Sequence, residues 1–369
     1  MRKLGVIALS APHWGGIYQY SQSMLEGLRH AQGYEITLYA DPSDRDLAKL
    51  GYPIRGYAEP RARQLTYLLA DAFGVELGDP FREEDILIAP SYSLALLHTE
   101  KPFAFTLHDL QEFYYPQNFS WAQRRWRRRV HSRLAGRATE IICESKYVKS
   151  DIVRIFDIPD EKVSVLAAPP LRQSEAGFSA ATLAAVRKRL NLPVRFVFYP
   201  AQFWPHKNHL RLVTAFKQVV AREPHLKLVL TGKKRDEFEA VMAAVTQAGL
   251  ESNIQHVGYV EQADLQAIYH LATALVMPSL FESISIPIYE AFQAGTPVAA
   301  SGILSIPEQV GEAALLFDPL STSSIAESIL RIVNDRSLAE SLAKRGKAKL
   351  ASMTPEHYGT QLQRLLERL

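Results

Sequence analysis

The chain has 369 residues, 47% hydrophobic and 22% charged, with a formal net charge of +3 and a single cysteine. Single cores stop growing at about 250–300 residues, so this length implies two domains. The balance is that of an ordinary soluble globular protein: the slight basic excess calls for no nucleic-acid partner, Cys143 has no partner for an internal disulfide, and no run of about 18 apolar residues marks a spanning helix.

In chain order, residues 4–9 read as a buried strand, followed by Ser10-Ala-Pro-His-Trp-Gly-Gly16 and a helix spaced through Tyr20, Met24, Leu25 and Leu28 to a stop at Gly33. The pair Gly15-Gly16 between strand and helix lets backbone approach a ligand closely, but it lacks the G-x-G-x-x-G spacing of a dinucleotide site, which argues against an NAD enzyme. Residues 35–39 form a second strand, 61–72 a helix and 74–84 a loop. Residues 86–89 and 103–107 are short apolar runs bounded by breakers, hence buried strands, and the second ends in His108-Asp109. A histidine there can donate to a hydroxyl or steer charge on a departing phosphate; a structural hydrogen bond to a neighbouring acid is the alternative. Residues 121–137 form an arginine-rich helix in which Trp126, Val130 and Leu134 share one face. The arginines from Arg124 to Arg137 make it a candidate for peripheral contact with an anionic membrane or a phosphorylated acceptor, against a plain solvated helix. A strand at 141–143, a helix begun by Ser145, a strand at 163–167 and a linker from Pro169 to Ala176 close the first half.

The second half restarts with a strand at 194–199 and the loop Pro200-Ala-Gln-Phe-Trp-Pro-His-Lys-Asn208, where Lys207 is placed to neutralise a diphosphate. Strands at 226–230 and 254–257 and helices at 236–248, 325–332 and 338–350 continue a βαβ alternation, and 355–369 is a final helix. Residues 273–277 give a buried strand, an acidic loop with Glu282 follows, and Pro287 and Gly295 bracket a helix carrying Glu290. At the carboxyl end of a parallel strand, free amides of Ser285 and Ile286 would face an anion, while Glu282 and Glu290 suit sugar and ribose hydroxyls. Two surface carboxylates near a helix start are the plainer alternative.

Pro278-Ser-x-x-Glu282, Glu290-Ala, Ala294-Gly-Thr-Pro-Val298 and Ile306-Pro-Glu-Gln-Val-Gly-Glu-Ala-Ala-Leu-Leu-Phe-Asp-Pro319 resemble the donor-site signature of retaining GT-B glycosyltransferases of family GT4. The resemblance implies an α/β fold of two Rossmann-like parallel-sheet domains facing each other across a cleft. It assigns 1–172 to the acceptor side and 173–353 to the donor side, with a helix at 354–369 crossing back to the first domain. It implies catalytic roles for His108, Lys207 and Glu282, and donor contacts at Gly15, Gly16, Gln202, Tyr259, Val260, Ser283, Ile284, Ser285, Ile286 and Glu290. The family carries an arginine where Gln202 stands, so cationic help must come from elsewhere, with Lys233 and Lys234 as candidates.

The activity implied is sugar transfer, with GDP-mannose as candidate donor, to a saccharide or lipid-linked acceptor in cell-surface polysaccharide or glycolipid synthesis. A sugar-nucleotide epimerase and a noncatalytic scaffold are the alternatives. No Asp-x-Asp sequence is placed to chelate a divalent ion, so neither a metal nor another cofactor is expected. The absence of a basic-then-apolar leader makes the cytoplasm the expected compartment, with the inner face of the plasma membrane as a candidate station.

Overall fold

The computed structural model describes residues 1–11, 14–171 and 178–369; the linker expected from Pro169 lies largely outside them. The chain divides into two compact units, Met1–Leu171 with Met353–Leu369, and Arg172–Ser352.

Unit 1 is built on seven strands, β1 (Arg2–Ile7), β2 (Tyr34–Ala40), β3 (Ile54–Gly56), β4 (Ile86–Ala89), β5 (Phe103–Thr106), β6 (Glu140–Cys143) and β7 (Val163–Val165). They form one parallel sheet in the order β3-β2-β1-β4-β5-β6-β7. The strands read as near-continuous apolar runs because both faces are covered. Leu4, Val6, Ile86 and Ile88 point into one core, and Ile7, Leu87, Ala89, Phe103 and Phe105 into the other. The helices are α1 (Gly16–Leu28), α2 (Arg45–Lys49), α3 (Arg61–Phe73), α4 (Gln111–Tyr114), α5 (Trp121–Arg137) and α6 (Lys146–Phe156). α1 ends at Leu28 rather than running to Gly33. α5 begins with a capping box between Ser120 and Gln123, which satisfies two of the otherwise orphaned donors there.

Unit 2 carries α7 (Ala180–Arg189), β8 (Phe196–Pro200), α8 (His209–Arg222), β9 (Lys227–Thr231), α9 (Phe238–Ala248), β10 (Ile254–His256), α10 (Gln262–Leu271) and β11 (Ala274–Met277). It continues with α11 (Ile286–Ala294), β12 (Val298–Ser301), α12 (Ile306–Val310), β13 (Ala314–Phe317), α13 (Thr322–Asn334) and α14 (Arg336–Leu350). Its six strands are parallel in the order β10-β9-β8-β11-β12-β13. The order reverses between β8 and β11, and the crevice outside the carboxyl ends of such a pair is where open α/β sheets bind ligands.

The last helix, α15 (Pro355–Leu366), belongs to unit 1, where Tyr358, Leu362, Leu365 and Leu366 join the core beside α1. Fully burying each such side chain contributes about 1.5–3 kcal/mol. The approach is close because both helices present glycine. A Cβ on Gly359 would stand 2.5 Å from the Gly27 carbonyl oxygen, and one on Gly27 would meet the Tyr358 ring at 2.7 Å. Gly359→Ala is therefore expected to destabilise unit 1 by about 1–3 kcal/mol, read as a lowered urea midpoint. An unchanged midpoint would show that the helices are free to separate.

Candidate active site

In unit 2 the loop after β8 and the loop after β11 bring Lys207 and Glu282 together, with Nζ 2.6 Å from Oε1. Both side chains are largely buried. Backbone bracing sets this geometry. Asn208, at a φ of 62°, donates from Nδ2 to the carbonyls of Pro278 and Pro319, each at 2.9 Å. The Leu280 amide donates to the His206 carbonyl at 2.7 Å, the Tyr199 hydroxyl to that of Lys207 at 2.7 Å, and Ser305 Oγ to that of Glu282 at 2.9 Å. Burial and then the Lys207 charge push His206 and His209 down to about 3, so both are neutral near pH 7. Lys207 is thus the cation of this loop.

The loop into α11 corrects one expectation. The Ser285 amide does not face outward: it donates to Gln309 Oε1 at 2.8 Å, while Gln309 Nε2 donates to the Ser285 carbonyl at 2.7 Å. Pro287 has no N–H, and Ile288 donates to the Ser285 carbonyl. The amides of Ser283, Ile284 and Ile286 have no acceptor among the described residues, so the donors open to an anion lie to either side of Ser285. Glu290, buried on α11, accepts from the Tyr269 hydroxyl at 2.7 Å and Gln262 Nε2 at 3.2 Å. Burial and then the Glu290 charge raise Tyr269, which keeps it a donor. These bonds orient the Glu290 carboxylate.

Gln202 does not stand alone. Its Oε1 accepts from Arg235 Nε at 2.9 Å, and the exposed Arg235 guanidinium lies 5.0 Å from the Trp204 ring centroid. Gly232 makes this approach possible: at a φ of 132°, its Cβ would sit 2.4 Å from the Ala201 carbonyl oxygen. Arg235, which no motif in the sequence singles out, belongs to the run Gly232-Lys-Lys-Arg235 directly after β9. That run was the available signal. Lys233 covers the exposed ring of Tyr259 at 5.0 Å, whereas Lys234 turns onto Phe238 at 4.4 Å. Val260, next to Tyr259, is half-buried.

Unit 1 carries the remaining candidates. Gly15 caps α1 at a φ of 63°, a conformation that favours glycine, and Gly16 is the first residue of that helix. Pro12 and His13 of the same loop lie outside the described residues. His108 follows β5 with both ring nitrogens engaged, Nδ1 at 2.9 Å from Glu144 Oε2 and Nε2 at 2.9 Å from the Pro90 carbonyl oxygen. As found, it has no nitrogen free for a sugar hydroxyl, because Glu144 and the Pro90 carbonyl already engage both. Burial alone would lower His108, but the hydrogen bond and charge of Glu144, joined by Asp109, outweigh it and raise the imidazole above its usual 6.5. The arginine helix is also less free than its composition suggests. Arg127 pairs with Glu112 at 2.9 Å and Asp109 at 2.7 Å, and Arg133 pairs with Asp71.

Residues 14–167 match the family model described as Glycosyltransferase Family 4, and residues 185–349 match Glycosyl transferases group 1. O-antigen chain mannosyltransferase B of Escherichia coli is 28% identical over 258 residues, 69% of this chain and 68% of that protein. Serotype-specific mannosyltransferase WbdA of Escherichia coli is 25% identical over 59% of this chain, which spans 27% of WbdA's length. The structure of Anabaena Alr3699/HepE in complex with UDP and glucose has the same fold, with a TM-score of 0.79 at 18% identity and 100% of both chains covered. Two Rossmann-like parallel sheets and these matches define a glycosyltransferase of the GT-B class. Within that class, the chain belongs to the GT4-type enzymes.

The His108–Glu144 pair gives a pH-dependent expectation. A histidine raised on folding stabilises the fold fully below its unfolded value near 6.5, and that contribution is lost as pH rises through the higher folded value. Glu144→Gln should therefore cost about 1.5–3 kcal/mol at pH 6 and progressively less toward pH 9. Urea titrations of both proteins across that range measure it; a deficit independent of pH would mean that the histidine is neutral.

Proposed function

We propose that this enzyme is a retaining transferase that moves a sugar, with mannose from GDP-mannose as the candidate, onto a hydroxyl of a growing cell-surface polysaccharide or lipid-linked saccharide, without a metal. The observation that carries the reading is the Lys207–Glu282 pair at 2.6 Å, set at the strand-order reversal beside the unbonded amides of Ser283, Ile284 and Ile286. The activities for which the relatives are named support the sugar and the class of acceptor. Its station in this proposal is the cytoplasm, with the inner face of the plasma membrane as the candidate site of action.

In this mechanism the bond from the anomeric carbon to the diphosphate breaks, and its electron pair passes to the phosphate oxygen. The acceptor oxygen bonds the same face of that carbon, and its proton goes to the departing diphosphate, so configuration is retained. Lys207 and the three amides hold the diphosphate more tightly as its charge grows, which lowers the barrier rather than merely improving binding. Glu282 receives the donor sugar's hydroxyls; in unit 1, His108 is by itself a candidate for a hydroxyl contact once a hydroxyl replaces one of its present acceptors. Glu290 takes the ribose, and Tyr259 and Val260 the base; in unit 1, the Gly15-Gly16 backbone is by itself a candidate for an anion contact. Gln202 adds no charge, a feature that by itself favours a noncatalytic scaffold. Arg235, held against it, supplies a second cation and favours catalysis.

Release of nucleoside diphosphate across a panel of nucleotide sugars, with and without saccharide acceptor, tests the reading. Lys207→Ala is expected to lower kcat by about 10²–10³-fold while donor affinity falls far less. Chelation with EDTA is expected to leave the rate unchanged. Turnover that survives loss of Lys207 would remove it from the mechanism, an isomerised sugar nucleotide would indicate an epimerase, and no release from any donor would indicate a scaffold.

A further inference from the structure

Helices α3 and α5 cover the same face of the seven-stranded sheet. Tyr67 of α3 and Val130 and Leu134 of α5 enter one core cluster, together with Leu94, Leu96 and Leu97 of the segment between β4 and β5. Arg133 ties the helices together by donating twice to Asp71, each time at 2.7 Å.

Their outward faces differ in kind. On α3, Leu65, Leu69 and Phe73 recur at four-residue spacing, opposite the side that sends Tyr67, Leu68 and Ala70 inward. They are 49%, 48% and 79% exposed, and Val75, just past the helix end, is 53% exposed. Exposed apolar residues are ordinary when scattered; a continuous ridge of them is not. On α5, Trp126, Val130 and Leu134 turn inward, leaving Arg125, Arg128 and Arg129 exposed with Trp121, itself 66% exposed. These three arginines have no acidic partner among the described residues. Arg125 stacks on Trp121 and Arg128 on Phe113. Together α3 and α5 carry nine arginines and one acid, Asp71, whose charge Arg133 already neutralises.

We propose that this surface docks onto an anionic lipid bilayer, with Leu65, Leu69 and Phe73 entering the acyl boundary while Arg125, Arg128 and Arg129 meet the headgroups. The charge pattern selects the occupant. An apolar ridge flanked by unpaired arginines matches an interface that is hydrocarbon beneath and anionic above. A second copy of the same face would bring like charges together. The attachment is peripheral, since no helix among the described residues is long and apolar enough to cross a membrane.

The essential addition is α3. With its apolar stripe in the core, α5 alone would adsorb by charge only, whereas α3 provides insertion. Each basic residue near an anionic surface strengthens partition about fivefold, and each large apolar side chain that leaves water adds about tenfold or more. The inference extends the membrane station of the transferase reading, but it rests on unit 1 alone and stands or falls apart from the donor site.

Cosedimentation of the full chain with vesicles tests it, using phosphatidylcholine alone or in equal parts with phosphatidylglycerol. The protein should partition at least about tenfold more strongly onto the anionic vesicles. Leu69→Ser with Phe73→Ser should lower that partition at least about tenfold, and Arg125→Gln with Arg129→Gln should remove the preference for anionic lipid. Both residue pairs are exposed, so thermal midpoints should match that of the parent; a matched midpoint assigns any loss to the surface. Equal partition onto the two vesicle types, or unchanged partition of the Leu69/Phe73 variant, would overturn the proposal. So would a dimer that dissociates in that variant without any vesicle binding, since the ridge would then belong to a second copy.

Discussion

The contact between Lys207 and Glu282 is the constraint around which unit 2 is arranged. Two opposite charges are withdrawn from most of their water at the carboxyl ends of the sheet's central strands, and such a pair is tolerable only when its geometry is held. Asn208 holds it from one side by bridging the loop after β8 to Pro278 and Pro319. The Leu280 amide and Ser305 hold it from the other. Glu282 thereby neutralises the lysine. The fold thus presents a cation that is desolvated, fixed and already accustomed to a negative partner.

Glycines set how closely backbones approach in both units. Gly232 lets the segment after β9 run against Ala201, which carries Arg235 to Gln202. Gly27 and Gly359 let α1 and α15 pack closely, with Tyr358 and Leu362 seated against Gly27, so the last helix completes the core beneath α1. In the first case the close approach assembles charge, and in the second it stabilises the sheet face behind the Gly15 turn. His108 and Glu144 add a buried hydrogen-bonded pair at the carboxyl edge of that sheet.

Much of this architecture was legible in the sequence because the strands are short apolar runs bounded by breakers. Residues 86–89 and the helix at 121–137 were bounded correctly, and Gly295 closes α11 as a left-handed cap. Three short elements, β3 with three residues, α2 with five and α4 with four, carry too little periodicity to be seen. What sequence could not supply was partnership over distance. The Ser285 amide is taken by a glutamine twenty-four residues away, Glu290 is shared with Tyr269 and Gln262 of α10, and Arg235 reaches Gln202 only because a neighbouring glycine permits the crossing. Likewise, apolar spacing identified α3 as a helix without disclosing that it has apolar residues on two opposite sides.

The central claim is that the diphosphate of a nucleotide sugar lies at the junction of β8 and β11. A crystal structure of the protein with bound GDP examines it most directly. The account predicts the β-phosphate about 2.7–3.2 Å from Lys207 Nζ and from amides among Ser283, Ile284 and Ile286. A well-ordered nucleotide whose phosphates touch neither the lysine nor those amides would contradict it.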